Sequence, residues 1–518
     1  MNLKFFKSGN SFTTILMMFV IICIFLFSKQ EYIFNPKNDV GGFVFPVTVL
    51  KIWNESSPSE YNFCPVLTYQ NSGDKFITYY KRLEDKDGNN YYVSSPPFSY
   101  IMAYYAISFF HLPMDEFSIK FLNVIILIFG ALLIYFIMNL ILNENLMKFS
   151  VPSFISMAVF LFMPVNINIT GYSYFPEIFL WLQSIFLFLF IIKKNCGNIY
   201  MFFLFGISLF LVIYTEWIGL FFSFSVLLFS LFKIREKLFQ KFFIITLIFS
   251  FLPLLLTFIQ FSSLNGIGAM VHAMKIRFLE RSGFFGATLS ADGIHIFSCN
   301  SWIVMLENIN RSLIGFGYLA IIMVIFLFVF RRKMKFKFNY KSVLVYVILL
   351  PALIHFIVFF NSNAVHKEQM SKFSVWVAII CGYVFYQIQN KYQNKILSSI
   401  IISLVIFTAI ISHYILLNNY SDIADYTVMN QQSKYIKENA MPDEAVFISR
   451  DSTSNRDTKI FFSDYILTFL CDRNLKYANG EDDAVSIAKK LGKEKGIYFK
   501  LNNDIAKCTT YHFTITSK

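Results

Sequence analysis

The sequence predicts a polytopic α-helical membrane protein with a small α/β domain at its C-terminal end. Three observations carry this reading. Of 518 residues, 56% are hydrophobic and only 15% charged, a balance outside soluble usage. Apolar runs long enough to cross roughly 30 Å of hydrocarbon, about 20 residues each, recur along the chain. The net charge of +13 falls mainly in short basic runs between those segments, so it reports membrane orientation and not a nucleic-acid partner.

The first element is a basic start followed by an apolar run near 12–28. No small-residue cleavage site follows it, so it reads as a retained signal anchor. After a long polar loop (29–116), further spans are expected near 117–142, 151–169, 174–192, 199–215, 218–232, 242–261, 312–330, 342–360, 371–389 and 396–416, about eleven in all. With the N-terminus inside, "KK" (193–194), "KIREK" (233–237), "RRKMKFK" (331–337) and "NKYQNK" (390–395) all become cytoplasmic, as the positive-inside rule requires.

The stretch "NYYVSSPPFSYIMAY" (90–104) tests that assignment. If 98–111 crossed the membrane, every later basic cluster would move outside, and the segment is shorter than the roughly 20 residues a span needs. It is therefore expected as a juxtamembrane helix on the outer surface, begun by Pro96 and Pro97 and anchored by tyrosines.

The outer side then holds the loop 29–116, a second loop 262–311, and everything after 417. This divides the chain into a transmembrane domain (1–416) and an extracytoplasmic α/β domain (417–518). The latter is expected to run helix (421–439), strand (445–449), helix (462–471), helix (482–492) and strand (496–501). The seven cysteines show no CxxC or metal spacing, so no zinc or thioredoxin-like site is indicated. Cys64 with Cys299, and Cys471 with Cys508, are the pairs an outer location would allow; free buried thiols are the expectation.

Few ionisable residues lie in the spans, and those near span ends collect on the outer side. Asp39 stands in "NPKNDVGGFVFP", Glu177 in "GYSYFPEIF", Glu216 in "YTEWIG", and His366 and Lys367 in "NAVHKEQMSKF". Each has a structural alternative. Asp39 fits a turn or cap, Glu177 a helix start favoured by the dipole, Glu216 with Trp217 an interfacial turn, and His366 with Lys367 a wet loop. Their combination at one membrane face is what points to chemistry.

An acidic residue soon after the first span, a long outer loop ending in Pro-Pro and a surface helix, an acidic residue opening the fourth span, and a basic turn before a late span together resemble the GT-C glycosyltransferases. The branch is similar to the protein O-mannosyltransferase and lipid A aminoarabinose-transferase group. Two departures stand out: the usual "DE" is "ND" at Asn38 and Asp39, and "HPP" or "KPP" is "SPP" at Ser95–Pro97, which removes a cationic contact to the donor. The resemblance implies transfer of a sugar, with inversion, from a polyprenyl phosphate to a hydroxyl acceptor (protein, glycolipid or cell-envelope glycan). Asp39 is then the candidate base. His366, Lys367, Arg277 and Arg281 are candidates to hold phosphate, and Tyr92 lies in the loop that would line the donor. Glu177 and Glu216 would orient the acceptor or join a metal site; carboxylates suit Mg or Mn, with Asp39 and Glu177 as the ligand pair, and some relatives need none.

Two other classes compete. A transporter or flippase of lipid-linked sugars would place ionisable residues and broken helices near the midplane, in repeated halves; these spans are nearly free of charge and the halves differ. A noncatalytic scaffold would not need the long first loop with its surface helix.

Overall fold

A computed structural model describes residues 10–33, 40–70, 75, 83–171, 176–284, 294–330, 340–389, 395–418, 423–449, 466–501 and 505–515. The membrane part is a bundle around α4 (Glu116–Ile141) and α7 (Pro176–Lys194). Buried residues make up 67% and 61% of their apolar windows, against 22% for α1 (Asn10–Ile33). The side chains that α1 turns outward are apolar, Phe12, Phe19 and Phe27 among them, which is the arrangement a lipid solvent allows and water does not.

Among the described residues, five helices are long and apolar enough to cross a membrane, or six if one bent pair counts as a single span. Breaks account for much of the distance from the expected eleven. The run 151–169 divides into α5 (Val151–Phe162) and α6 (Pro164–Asn168), because Met163, preceding Pro164, is extended at ψ 126°. Helices α8 (Ile199–Ile213) and α9 (Ile218–Phe232), of 15 residues each, reach only about 22 Å.

The described part of the first long loop is a packed unit. It opens with α2 (Val40–Glu55), an apolar helix that hydropathy alone left inside the loop. Val47, Leu50 and Trp53 of α2 are fully buried with Tyr61, Leu67, Tyr91 and Tyr100. A two-stranded ribbon, β1 (Leu83–Glu84) and β2 (Asn90–Tyr91), leads to α3 (Phe98–Phe109). Helix α3 begins after Pro97 where expected, buries Tyr100, Ala103 and Ile107, and exposes Tyr105 and Phe109.

The described part of the segment 262–311 is largely helical. Helix α10 (Lys237–Ser282) runs on past its apolar part, interrupted at Asn265 and Gly266. Gly266 has φ +82°, a value favouring glycine, and the Asn265 amide ties the break to the carbonyl of Glu84 at 2.7 Å. Helices α11 (Cys299–Leu313) and α12 (Phe316–Phe330) meet at 101°. Then come α13 (Tyr340–Val358), α14 (Phe360–Val365), α15 (Ser371–Gln387) and α16 (Lys395–Asn418).

The tail adds α17 (Ile423–Asn439), β3 (Ala445–Ser449), α18 (described from 466 to 471), β4 (Leu475–Ala478), α19 (Glu481–Lys490), β5 (Lys495–Lys500) and β6 (Thr509–Thr514). Its sheet has the order β4-β3-β5-β6, with β3 parallel to both neighbours and β6 antiparallel. Val446 and Ile448 pack toward α17 and α18, Ala445 and Phe447 toward α19; this two-sided burial explains the unbroken apolar run of β3. Strands β4 and β6 were not expected: fully buried Lys476 disguises the first, and the second is a polar, mostly exposed edge. All seven cysteines are free, with Cys23 and Cys299 exposed rather than buried.

Candidate active site

Helix α7 starts at Pro176, which presets the backbone for a first helical turn and brings Glu177 to the end of the bundle that also carries the first outer loop. Helix α15 starts at Ser371 and carries Lys372 in its first turn. Lys372 Nζ lies 2.8 Å from Glu177 Oε1, and the two side chains are 1% and 0% exposed. The contact is a buried ion pair. Lys372 is held from below by its hydrogen bond to Gln369 Oε1 at 2.6 Å.

Glu216, in the turn between α8 and α9, is also buried, and its Oε2 has no hydrogen-bond partner. It is close enough to Glu177 for their charges to oppose each other, and Lys372 and Arg281 act on both. Burial raises the Glu216 carboxyl above its ordinary range, against the pull of Lys372 and then Arg281. His355 of α13 lies within the same field and is enclosed by Phe221 and Phe359. Ionisable groups from five separated segments thus meet inside an apolar bundle.

The loop before α3 roofs this group. Trp217 Nε1 donates to the Ser94 carbonyl at 3.0 Å, Arg281 Nη1 donates to the same carbonyl at 3.1 Å, and Arg277 Nε donates to Ser94 Oγ at 2.6 Å. The Phe98 N–H, one of the amides a helix start leaves unpaired, donates to Tyr214 O at 3.1 Å. Arg277 also pairs with Glu280 at 3.0 Å. Tyr92 packs between Phe45 and Tyr100, two residues from Ser94.

Of the residues singled out by sequence, Glu177, Glu216 and Arg281 come together, with Arg277 joined to them through Ser94. His366 instead contacts Glu368, two residues on, at 3.2 Å. Asp39 and the Lys367 side chain lie outside the described residues. Lys372 and His355 were missed, although a lysine one turn into an apolar span is itself a functional signal.

Superposition on solved structures gives three instructive matches. ArnT from Cupriavidus metallidurans bound to undecaprenyl phosphate aligns at a TM-score of 0.59 and 9% identity, over 95% of this chain and 93% of that one. The chain carries the GT-C fold. AglB from Archaeoglobus fulgidus, in complex with an inhibitory peptide and a dolichol-phosphate, aligns at 0.56 and 13% identity over 94% of this chain and 69% of that one. The Archaeoglobus fulgidus oligosaccharyltransferase with Zn and sulfate aligns at 0.55 and 14% over 93% and 68%. No family model and no curated protein sequence matches the chain.

The GT-C-like chain has no group of three His, Cys, Asp or Glu side chains arranged for a metal among its described residues. Glu177 Oε1 already faces an ammonium at 2.8 Å, which occupies the place a divalent ion would take on that oxygen; Asp39, the other ligand of the expected pair, lies outside the described residues.

Proposed function

We propose that the chain is a membrane glycosyltransferase that moves a sugar from a polyprenyl-phosphate donor to a hydroxyl acceptor at the outer membrane face, by inverting displacement. The observation that carries this is the convergence of Glu177, Glu216, Arg281 and Lys372 in the bundle beneath the Ser94–Pro97 loop. Buried ionisable groups in a membrane domain are expensive and mark function. The GT-C fold, shared with proteins solved with dolichol-phosphate and undecaprenyl phosphate, supports the donor class.

In this reading the acceptor oxygen attacks the anomeric carbon, the carbon–oxygen bond to phosphate breaks, and the phosphate leaves with the electron pair. The acceptor proton passes to a carboxylate, for which Asp39 is the candidate. Arg277 and Arg281 face the leaving phosphate with forked donors, Tyr92 lines the donor side, and His366 with Lys367 forms an outer rim. Glu216 orients the acceptor. The tail from 417 lies outside and contributes to the acceptor side.

The test is turnover by purified full-length protein in nanodiscs containing a panel of polyprenyl-phosphate sugars, read as released polyprenyl phosphate. The wild type consumes at least one donor, and Arg281→Ala lowers the rate about 100- to 1,000-fold, as loss of one charge-stabilising donor does. Movement of an intact donor across the bilayer without cleavage would make the chain a flippase instead.

A further inference from the structure

Two buried carboxylates close to each other need positive charge to stay ionised. A hard divalent cation is one solution, and it requires oxygen ligands near 2.0–2.2 Å. This chain carries another in its own sequence. Lys372 Nζ stands 2.8 Å from Glu177 Oε1, with both side chains essentially inaccessible. The ammonium also donates to Gln369 Oε1, three residues earlier, at 2.6 Å. Arg281, itself bound to the Ser94 carbonyl, supplies a second positive charge to Glu177 and Glu216. Two acids therefore meet two bases at this site.

We infer that Lys372 is the resident cation of this site, a positioning residue that holds the Glu177 carboxylate in place at 2.8 Å, so that the Glu177 and Glu216 pair takes no divalent metal. A dication entering beside Glu177 would have to displace the ammonium or be repelled by it and by Arg281. The importance of the site rests on the glycosyltransferase reading, but the charge assignment does not.

Lys372→Met leaves the two carboxylates with Arg281 as the remaining cation of the pair, a net negative site that should take up a cation. Glu177→Gln/Lys372→Met removes one acid as well and should abolish that site again, while restoring charge balance to a chain that the single change could misfold. The measurement is Mn²⁺ binding to full-length protein in nanodiscs, read from the electron paramagnetic resonance signal of free Mn²⁺, with no sugar substrate present. Wild type and Glu177→Gln should bind Mn²⁺ identically, and Lys372→Met should bind at least about tenfold more tightly than the double variant. A Mn²⁺ ion bound by the wild type and lost in Glu177→Gln would overturn the inference, as would a folded Lys372→Met that gains no site. Because no transfer is measured, a chain inactive on every donor still gives an answer, and the failure of the glycosyltransferase reading stays distinguishable from failure here.

Discussion

The indole N–H of Trp217 donates to the carbonyl of Ser94 at 3.0 Å, and this one bond ties the turn that carries Glu216 to the loop that ends in Pro96 and Pro97. Arg281 donates to the same carbonyl. The position of the first outer loop over the buried charges is thus set by side chains far away in sequence.

Trp217→Phe keeps an aromatic ring but deletes the N–H. A hydrogen bond of this kind contributes about 0.5–1.5 kcal/mol net, and Arg281 still satisfies the carbonyl, so the fold should persist. Donor turnover in nanodiscs should fall about two- to tenfold, with thermal stability nearly unchanged. Unchanged turnover would mean that Arg281 alone holds the loop.

Asp39→Asn tests the proposed base. The amide matches the carboxylate in shape and still forms hydrogen bonds, yet it cannot take the acceptor proton. Transfer should drop by about 100- to 10,000-fold, the usual worth of general base catalysis, while binding of the donor to purified protein stays at the wild-type level. Glu31→Gln, a nearby carboxylate with no motif around it, serves as the comparison and should change little. If Asp39→Asn transferred at the wild-type rate, the base would have to be Glu216 or Glu177.

Orientation is tested by labelling single cysteines in intact cells, in a background freed of exposed Cys23 and Cys299. Met334→Cys and Tyr392→Cys, placed in basic inner segments, should be protected from a membrane-impermeant maleimide. Lys489→Cys, on the exposed surface of α19, should react. The contacts support this division. Segments expected inside touch one another, with Lys193 bonded to Glu144 O and Lys241 to Gly197 O, whereas the first loop touches the tail. Labelling at 334 with protection at 489 would invert the assignment and move the site to the other face.

The tail is fastened to the first loop by a side chain that imitates a strand. Asn474 accepts from Tyr69 N–H at 2.9 Å and donates to Tyr69 O at 2.9 Å, in a buried setting. Beside it, Asp472 receives Lys51 at 2.6 Å and Lys437 at 2.9 Å, an exposed cluster of small expected worth. Asn474→Ala would strand two buried backbone groups at about 1–3 kcal/mol each. Hydrogen exchange should then quicken in 64–69 and in 466–478 together. Exchange confined to one of the two segments would show that the tail and the loop are not coupled through this residue.

Much of the molecule was legible from the order of residues alone. Hydropathy marks spans because burial in lipid depends on a run of apolar side chains, and Pro96 and Pro97 mark the start of α3 because their ring restricts the backbone locally. The parallel strands β3 and β5 showed themselves as apolar runs for the same local reason. Glu177 and Glu216 stood out as charges near span ends, and Arg281 as a forked cation in the second loop.

What the order of residues did not contain is who meets whom. Helix α2 is too short to read as a span and too apolar for a loop, and only its packing with Tyr61, Tyr91 and Tyr100 gives it a place. Strand β4 is masked by Lys476, whose buried ammonium lies 5.8 Å from the Phe447 ring, a neighbour one strand away. Lys372 stands five residues beyond Lys367, on a helix whose first turn points it at Glu177. An ion pair between residues 177 and 372 depends on the starts of two helices meeting, and in a low-dielectric interior that meeting decides which charges are tolerated at all. The tertiary structure therefore chose the lysine, while the sequence determined only that charges would gather at this end of the bundle.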